Sequence, residues 1–421
     1  MRSKRDGAKG KPKRIKEALP NLRFPEFVGA WASSRFGDFF SFQPGFPFSS
    51  SYFNESGDGA RLIRNSDLRS DERKIYFSGS FDGRFVVENG DVLVGMDGDF
   101  SPHVWQRGRA LLNQRVGRVH AREGGVIEFA PYFLEGHLQE IERSTAQTTV
   151  KHLSHSKVDE IFAPLPSTSE QRKIASFLSS VDELIVAENR KLDVLKFHKQ
   201  GMMQQLFPAE GRSLPRLRFP GFKGGWGVAK LGEKSNVIRG GSPRPIDSYL
   251  TSEEDGLNWL KIGDVDKGSK YIEKTEEKVI PAALGKTRQI HPGDLILSNS
   301  MSFGRPYLSR ITCCIHDGWL AVTEINKQLA PDFLYYVLCS GSSQVYFQSL
   351  AAGSGVKNLN ANTIKQLPVS FPSLAEQMEI SDCLSCLDDL IAAQVRGIAT
   401  LQKHKRGLMQ GLFPAVEAGI T

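Results

Sequence analysis

The sequence predicts an α+β (mixed α/β) protein in which two similar globular domains are separated by two long helices that form an antiparallel coiled coil with pseudo-twofold symmetry. Two repeats support this fold class. "LPNLRFPEFVGAW" (19–31) and "LPRLRFPGFKGGW" (214–226) agree at nine of thirteen positions. A longer block, 166–208, matches 372–414 at 21 of 43 positions, and its apolar residues recur in steps of four and three. The chain therefore contains one arrangement twice.

The repeats divide the 421 residues into six segments. We expect a basic disordered tail at 1–18, a first globular domain at 19–165, a central spacer helix at 166–213, a second globular domain at 214–371, a C-terminal spacer helix at 372–414 and a final tail at 415–421. The offset between the copies grows from 195 to 206, so the second domain is eleven residues longer. Short β-branched and aromatic runs between Gly, Pro and Asp predict many short strands in each domain.

The two long blocks predict helices. Each begins with Pro-Ser and has a Glu three residues after Ser167 or Ser373, which is the pattern of a capping box, and each ends at Phe-Pro. The heptad-spaced seam consists of Ile174, Leu178, Val181, Ile185, Leu192, Leu195, Met202, Leu206, Ile380, Leu384, Leu387, Ile391, Ile398, Leu401, Leu408 and Leu412. Lys199 and Lys405 interrupt it at equivalent places. We expect the helices to pair antiparallel; the alternative is that each packs only on its own domain.

The charge is concentrated at one end. Residues 1–16 hold eight Lys/Arg and one Asp, which leaves 46 basic (54 − 8) and 46 acidic (47 − 1) residues elsewhere. This basic tail either adds weak, salt-sensitive contact with nucleic acid or is a solvated extension. The chain has no run of eighteen apolar residues and only five cysteines, so we expect a cytoplasmic protein without a membrane partner.

Motifs for catalysis are missing. "LGKT" (284–287) lacks the first Gly of a phosphate loop, and "HLSH" (152–155) lacks the Glu of a zinc-protease helix. "CLSC" (383–386) has no second Cys/His pair and lies on a predicted helix. We therefore predict no catalytic residue, no metal site and no cofactor in this chain, which favours a recognition protein over an enzyme.

The motifs "LRFPEF" with Trp31, "LRFPGF" with Trp226, "EQRKI", "EQMEI" and the endings "HKQGMMQQLFP" and "HKRGLMQGLFP" cover nearly all of 19–414. They resemble those of the specificity (S) subunits of bacterial type I restriction–modification systems. The resemblance implies that each globular domain is a target recognition domain that reads one half of a bipartite, asymmetric site in double-stranded DNA. It also implies that the helices set the gap between the halves.

The resemblance further implies partners. Two methyltransferase (M) subunits would dock on the helices and methylate adenine N6 with S-adenosylmethionine, and R subunits that use ATP and Mg would join through the complex. Two other functions stay open: a stand-alone nuclease or methyltransferase with an unseen site, and a non-catalytic DNA-binding scaffold or repressor without a modification partner.

Arg pairs with guanine and Asn with adenine through two hydrogen bonds, so these side chains in loops are the candidates for DNA contact. The candidates are Arg64, Asn65, Arg69, Arg84, Arg107, Arg115, Lys151, His152, Arg239, Arg244, Lys261, Arg288, Asn299, Arg305, Lys357 and Asn358. The resemblance places Lys151 and Lys357 in a loop before each helix, where we expect them to hold phosphates. We expect Trp31 and Trp226 to pack within the protein.

Overall fold

The computed structural model describes residues 19–144, 151–266, 268–299, 304–352 and 359–414. They form two compact units. Unit 1 comprises the described residues up to Glu188 and from Gly397 onward, and unit 2 comprises those of Asn189–Arg396. The tails expected at 1–18 and 415–421 lie outside the described residues.

Two long helices coincide with the repeated blocks. The described helices are α1 (Phe36–Phe39), α2 (Ala130–Ser144), α3 (His155–Asp159), α4 (Thr168–Leu206), α5 (Leu231–Lys234), α6 (Pro331–Cys339), α7 (Gly341–Ala352), α8 (Ala361–Ile364) and α9 (Leu374–Leu412). Helices α4 and α9 have 39 residues each, and each ends directly before its Phe-Pro. Among the described helices, we find none that combines the length and apolarity needed to cross a membrane.

The globular part of unit 1 consists of short strands. They are β1 (Ala32–Arg35), β2 (Phe40–Pro44), β3 (Phe53–Asn54), β4 (Ala60–Ile63), β5 (Ile75–Phe77), β6 (Val86–Val87), β7 (Val92–Gly95), β8 (Pro102–Val104), β9 (Ala110–Leu112), β10 (Val116–Ala121) and β11 (Phe162–Leu165). One sheet has the order β2-β10-β7-β8, a second has β3-β5-β4-β9-β6, and β1 pairs with β11. The pairing of β1 with β11 brings the two ends of the domain together.

Unit 2 repeats this topology. Its strands are β12 (Gly227–Lys230), β13 (Asn236–Arg239), β14 (Leu250–Thr251), β15 (Leu257–Leu260), β16 (Tyr271–Ile272), β17 (Glu277–Val279), β18 (Arg288–Ile290), β19 (Leu295–Ser298), β20 (Pro306–Ser309), β21 (Cys313–Ile315), β22 (Trp319–Thr323) and β23 (Pro368–Phe371). The sheet orders are β13-β22-β19-β20-β16, β14-β17-β15-β21-β18 and β12-β23. Apart from the additional edge strand β16, each order matches unit 1, which confirms that the two domains share a fold.

A buried ion pair joins each short repeated motif to the start of a long helix. The Arg23 guanidinium donates two hydrogen bonds of 2.8 Å to the Glu170 carboxylate. In unit 2, Arg218 makes the equivalent bonds to Glu376, at 2.8 and 2.6 Å. Both glutamates are only 2% exposed. The expected capping box is therefore half formed, because the Glu170 N–H donates to the Ser167 hydroxyl while its carboxylate turns to the arginine.

The next residue fastens the helix to its domain. The Gln171 amide oxygen accepts a bond from the Val126 N–H at 3.0 Å, and its nitrogen donates to the Pro166 carbonyl. Gln377 contacts Ala330 and Pro372 in the same way, at 2.8 and 2.9 Å. The repeated Glu-Gln pair thus fixes where each helix leaves its domain.

Each hydrophobic core contains the start of one long helix and the end of the other. In unit 1, Ile174 and Leu178 of α4 are buried in the same cluster as Leu412 of α9. In unit 2, Ile380 of α9 is buried in the same cluster as Leu206 of α4. The segments run antiparallel within each unit. Each helix also packs on its own domain, but not on it alone, so the expected antiparallel pairing is confirmed and the alternative is wrong. All sixteen seam side chains are buried or half-buried.

Both repeated tryptophans are buried beside the ends of the long helices. The Trp31 ring lies 6.4 Å from that of Phe413, and Trp226 shares a buried cluster with Phe207. In the last turn of each long helix, a carbonyl accepts a backbone hydrogen bond from the short motif: the Leu22 N–H donates to Gly411 at 2.8 Å and the Leu217 N–H to Gln205 at 3.0 Å. These contacts give the repeated tryptophans a packing role.

The lysines that interrupt the seam have carboxylate partners. Lys405 Nζ lies 2.6 Å from Asp182 in unit 1, and the Tyr132 hydroxyl donates to the same carboxylate at 2.8 Å. In unit 2, Lys199 pairs with Asp388, which also accepts a 2.7 Å bond from Tyr336. The polar positions therefore bind the two helices and the domain together in each unit.

Replacement of Arg23 by Ala should destabilise the protein by about 3 kcal/mol, because it leaves the buried Glu170 carboxylate without its charged partner. The matched control is Lys173→Ala, which removes an exposed ion pair with Glu26 and should cost less than about 1 kcal/mol. Chemical denaturation gives both values. Equal losses for the two variants would contradict the importance of the buried pair.

His137 should make stability depend on pH. Burial against the Phe133 ring lowers the pKa of His137 from 6.5 to about 4. The unfolded chain binds this proton below pH 6.5 and the folded chain does not until about pH 4, so stability falls as the pH drops through this window. The loss is about 2 kcal/mol near pH 5. The free energy of unfolding of the unsubstituted protein and of His137→Gln is measured at neutral pH and near pH 5, and the variant should lose about 2 kcal/mol less on acidification. Equal losses for the two proteins would contradict this role of His137.

Candidate nucleic-acid interface

In unit 1, basic and amide side chains gather around the loop between β7 and β8. Asp97 in this loop lies 3.1 Å from the Arg115 guanidinium and 2.8 Å from His152 Nδ1. The Asn65 amide donates to the Asp97 carbonyl at 2.6 Å, and Arg69 forms an ion pair with Asp99. Four candidates from separate parts of the sequence thus meet at one loop.

The backbone explains why these segments converge. Strands β7 and β10 pair, which places the loop after β7 beside the loop that precedes β10. The Gly98 N–H donates to the Lys151 carbonyl at 3.0 Å, and Leu153 donates to Met96, so the segment after α2 runs along the same loop. At Gly95, a Cβ atom would lie 2.2 Å from the Asn65 side-chain oxygen, so only glycine allows this approach.

The cluster is electrostatically basic. Burial lowers the pKa of His103, and the nearby charges of Arg69 and Arg107 lower it further. Arg107 also donates to the Asp67 carbonyl and lies over the Trp105 ring at 5.5 Å. The guanidinium groups of Arg64, Arg69, Arg107 and Arg115 thus lie among three carboxylates, those of Asp67, Asp97 and Asp99, and the side chains of Arg69 and Arg115 are exposed.

Unit 2 forms its cluster around Asp317, in the loop between β21 and β22. Arg239 Nε donates to the Asp317 carbonyl at 3.1 Å, and the Arg244 guanidinium lies 3.7 Å from the carboxylate. Burial opposes ionisation of Asp317, but the Ser242 hydrogen bond and the nearby positive charges outweigh it and lower the Asp317 pKa. This loop is equivalent to the Arg115 loop of unit 1, because each precedes the strand that pairs with β7 or β19.

Other candidates in the two units have partners of their own. In unit 1, Arg64 binds Asp67 at 2.8 Å, Arg84 binds Asp82 at 3.0 Å and Lys151 lies 3.5 Å from Glu142. In unit 2, Lys261 binds Glu277 at 2.6 Å, Arg288 donates to the Thr287 carbonyl at 2.8 Å and Arg305 lies over the Tyr307 ring at 5.8 Å. Since these pairs include exposed groups, they do not exclude contact with another anion.

The structure revises one candidate. Asn299 is 2% exposed and its amide donates to the Asp317 carbonyl at 3.3 Å, so its side chain supports the loop and does not face a ligand. Lys357 and Asn358 lie outside the described residues. Asp97, Asp99 and Asp317 were not among the candidates predicted from the sequence. The signal was present, because "GMDGDF" (95–100) and "HDG" (316–318) place these acids in Gly-containing loops.

Two local arrangements bear on chemistry. Near Asp317, the Ser242 hydroxyl donates to the aspartate and not to His316, whose Nδ1 accepts the Gly318 N–H, so this serine is not paired with a histidine base. Within the described ranges, no group of three or more His, Cys, Asp or Glu side chains could hold a metal ion. Burial raises the pKa of Cys313 to about 12, which keeps this thiol protonated.

Two units with one topology, each with arginine side chains grouped around one aspartate, are typical of a protein that recognises nucleic acid. Comparison with known proteins agrees with this class. The family model of the type I restriction modification DNA specificity domain matches residues 29–196 and 223–402. The chain belongs to this family, which confirms the resemblance read from the sequence.

Curated relatives match over most of their length. The chain is 27% identical over 359 residues to the EcoBI specificity subunit of Escherichia coli, covering 80% of this chain and 74% of that protein. It is 24% identical over 409 residues to the MjaVIII specificity subunit of Methanocaldococcus jannaschii, covering 94% of each.

Solved structures share the fold. The S subunit of the type I system from M. genitalium superimposes with a TM-score of 0.60 at 15% identity, covering 94% of this chain and all of that one. A chain from a structure of type I restriction–modification complex assembly has a TM-score of 0.56 at 18% identity, covering 92% and 98%. These similarities bear on the fold alone.

Proposed function

We propose that this chain is the DNA specificity subunit of a type I restriction–modification complex and that each unit reads one half of a bipartite, asymmetric DNA site. The observation that carries the proposal is the pair of arginine clusters around Asp97 and Asp317. Each includes the loop before the strand that pairs with β7 or β19, but the two contain different side chains. A shared backbone suits two DNA half-sites, and different side chains suit two different sequences.

In this proposal the aspartates position the arginine side chains before DNA binds. A surface ion pair contributes only about 0–1 kcal/mol, so Arg115 and Arg244 can exchange their aspartates for phosphates or base edges at little cost. Lys151 is exchangeable in the same way, which suits the proposed phosphate contact. His152 shares Asp97 with Arg115 and lies in the same interface.

The long helices serve the proposed assembly. They set the gap between the half-sites and dock two methyltransferase (M) subunits, with R subunits joining through the complex. Leu184 and Leu390 support this, because they occupy equivalent helix positions 206 residues apart and both are exposed. In this proposal the chain is non-catalytic and binds no cofactor. The M subunits methylate adenine N6 with S-adenosylmethionine, and ATP and Mg serve the R subunits.

Sequencing of N6-methyladenine in a host that carries the neighbouring M gene, with and without this gene, should reveal a bipartite asymmetric motif that depends on this gene. Exchange of residues 31–165 for those of a family member with another target should change one half of that motif alone, because each unit reads separately. Absence of any new motif from an assembled complex would favour a scaffold or repressor.

Arg244→Ala should weaken DNA binding by the complex and reduce the slope of log K against log salt by about 0.9, if Arg244 contacts one phosphate. This side chain is 82% exposed, so its loss should leave folding unaffected. The matched control is Arg310→Ala, which removes an exposed arginine of the same unit that is paired with Glu273. An identical salt slope for both variants would exclude Arg244 from the phosphate contacts.

A further inference from the structure

Unit 1 contains an open cavity lined largely by aromatic side chains. It measures about 430 Å³ and its walls include Phe46, Phe48, Phe81 and Phe85. Phe46 and Phe81 are 42% and 41% exposed, whereas Phe48 and Phe85 are buried beneath them. Two half-exposed phenylalanines at one cavity leave apolar surface available to a ligand.

The cavity is fixed to the proposed DNA-contacting loop. The Phe46 N–H donates to the Leu112 carbonyl at 2.9 Å, and its carbonyl accepts from the Gln114 N–H at 3.0 Å. Gln114 directly precedes Arg115, which faces Asp97. The Phe46 backbone is therefore fixed to the loop that carries Arg115.

The opposite wall is equally well held. Arg118 is buried and donates to the carbonyls of Arg84 and Val86, at 2.7 and 2.6 Å. This fixes the turn that presents Phe85 and leaves the Arg84 side chain exposed, with its guanidinium 4.9 Å from the Phe85 ring. Arg84 pairs with Asp82, which also lines the cavity, and both side chains are exposed, so Arg84 can exchange this partner for a phosphate of a ligand that places a small apolar group against the rings.

In unit 2, the residue equivalent to Phe46 has no aromatic ring. Gly241 is the structural equivalent of Phe46, because its N–H donates to the Ile315 carbonyl as that of Phe46 donates to Leu112. A Cβ atom at Gly241 would lie 2.5 Å from the Lys286 carbonyl oxygen, so no side chain fits there. Unit 2 therefore cannot place a ring where Phe46 lies in unit 1, as expected for a feature that distinguishes two half-sites.

We propose that this cavity receives the 5-methyl group of thymine in the half-site read by unit 1. In the major groove that methyl group is the apolar feature that distinguishes thymine from the other bases, and phenylalanine is a side chain that contacts it. Phe46 and Phe81 would flank the methyl group, while Arg84 and Arg115 face the neighbouring phosphates. This inference rests on the proposed function and names one chemical feature that the first half-site must contain.

The test uses the assembled complex and duplexes that carry the motif found by methylation sequencing. Each thymine is replaced in turn by uracil, which lacks only the methyl group. Replacement of at least one thymine in the half-site assigned to unit 1 should weaken binding about fourfold, the effect of exposing one methyl group. The Phe46→Ala and Phe81→Ala variants should bind the thymine and uracil duplexes equally. Tyr52→Ala, which removes an exposed aromatic ring outside the cavity, should retain the difference.

The outcomes separate the two proposals. If no motif depends on this gene, the proposed function fails. If the motif exists but its first half-site has no thymine, or uracil is tolerated at every position there, the cavity proposal alone is overturned. It is also overturned if Phe46→Ala weakens assembly with the M subunit and leaves the sensitivity to uracil intact, since the cavity would then dock a protein.

Discussion

The buried Arg–Glu pair is the constraint on which each unit depends. Arg23 and Glu170 are 147 residues apart, and Arg218 and Glu376 are 158 residues apart. Each pair therefore closes a loop that contains a whole globular domain, and the difference of eleven residues lies inside that loop. Since both ends of the domain are held by the same contact, the sequence between them can change in length and composition without altering how the helix leaves the domain. This explains why the short motifs and helix starts repeat closely while the domains between them diverge.

The polar residues of the helix seam follow the same logic. An unpaired lysine among apolar side chains would be costly, but Lys199 and Lys405 each meet an aspartate that also accepts a tyrosine hydroxyl. The lysines and aspartates occupy equivalent positions, whereas Tyr132 and Tyr336 come from different turns of α2 and α6. The Lys–Asp contact between the helices is thus the same in both units, whereas the tyrosine that donates to the aspartate comes from a different position in each domain. Such a contact favours one register of the helices, because a shift would separate the charges.

The sequence predicted what depends on periodicity and repetition. The heptad pattern predicted both long helices and their buried side, and the fixed offsets predicted a shared fold. Sheet order could not be predicted, because strands of two to six residues carry little periodic signal and pair over long distances. The site was predictable only in part. Asn65, Arg115 and His152 were recognised by residue type, but their meeting at Asp97 depends on loops brought together by the sheet. The aspartates were not predicted because only side chains that can bind DNA directly were considered as candidates, and carboxylates that position those side chains were not.

The two units show how a symmetric backbone can serve an asymmetric target. Phe46 and Gly241 make the same backbone hydrogen bond in equivalent loops, at 2.9 and 3.1 Å, yet one presents a half-exposed ring and the other leaves no room for a side chain. Likewise, Asp97 lies after β7, whereas Asp317 lies before β22, so the carboxylate that orders each cluster comes from a different loop. The differences concern side chains and loop composition, and apart from the additional edge strand β16 the strand order is the same in both units. The side chains that contact a ligand can therefore change in one unit while its sheets stay the same. The contacts made by the other unit are not affected.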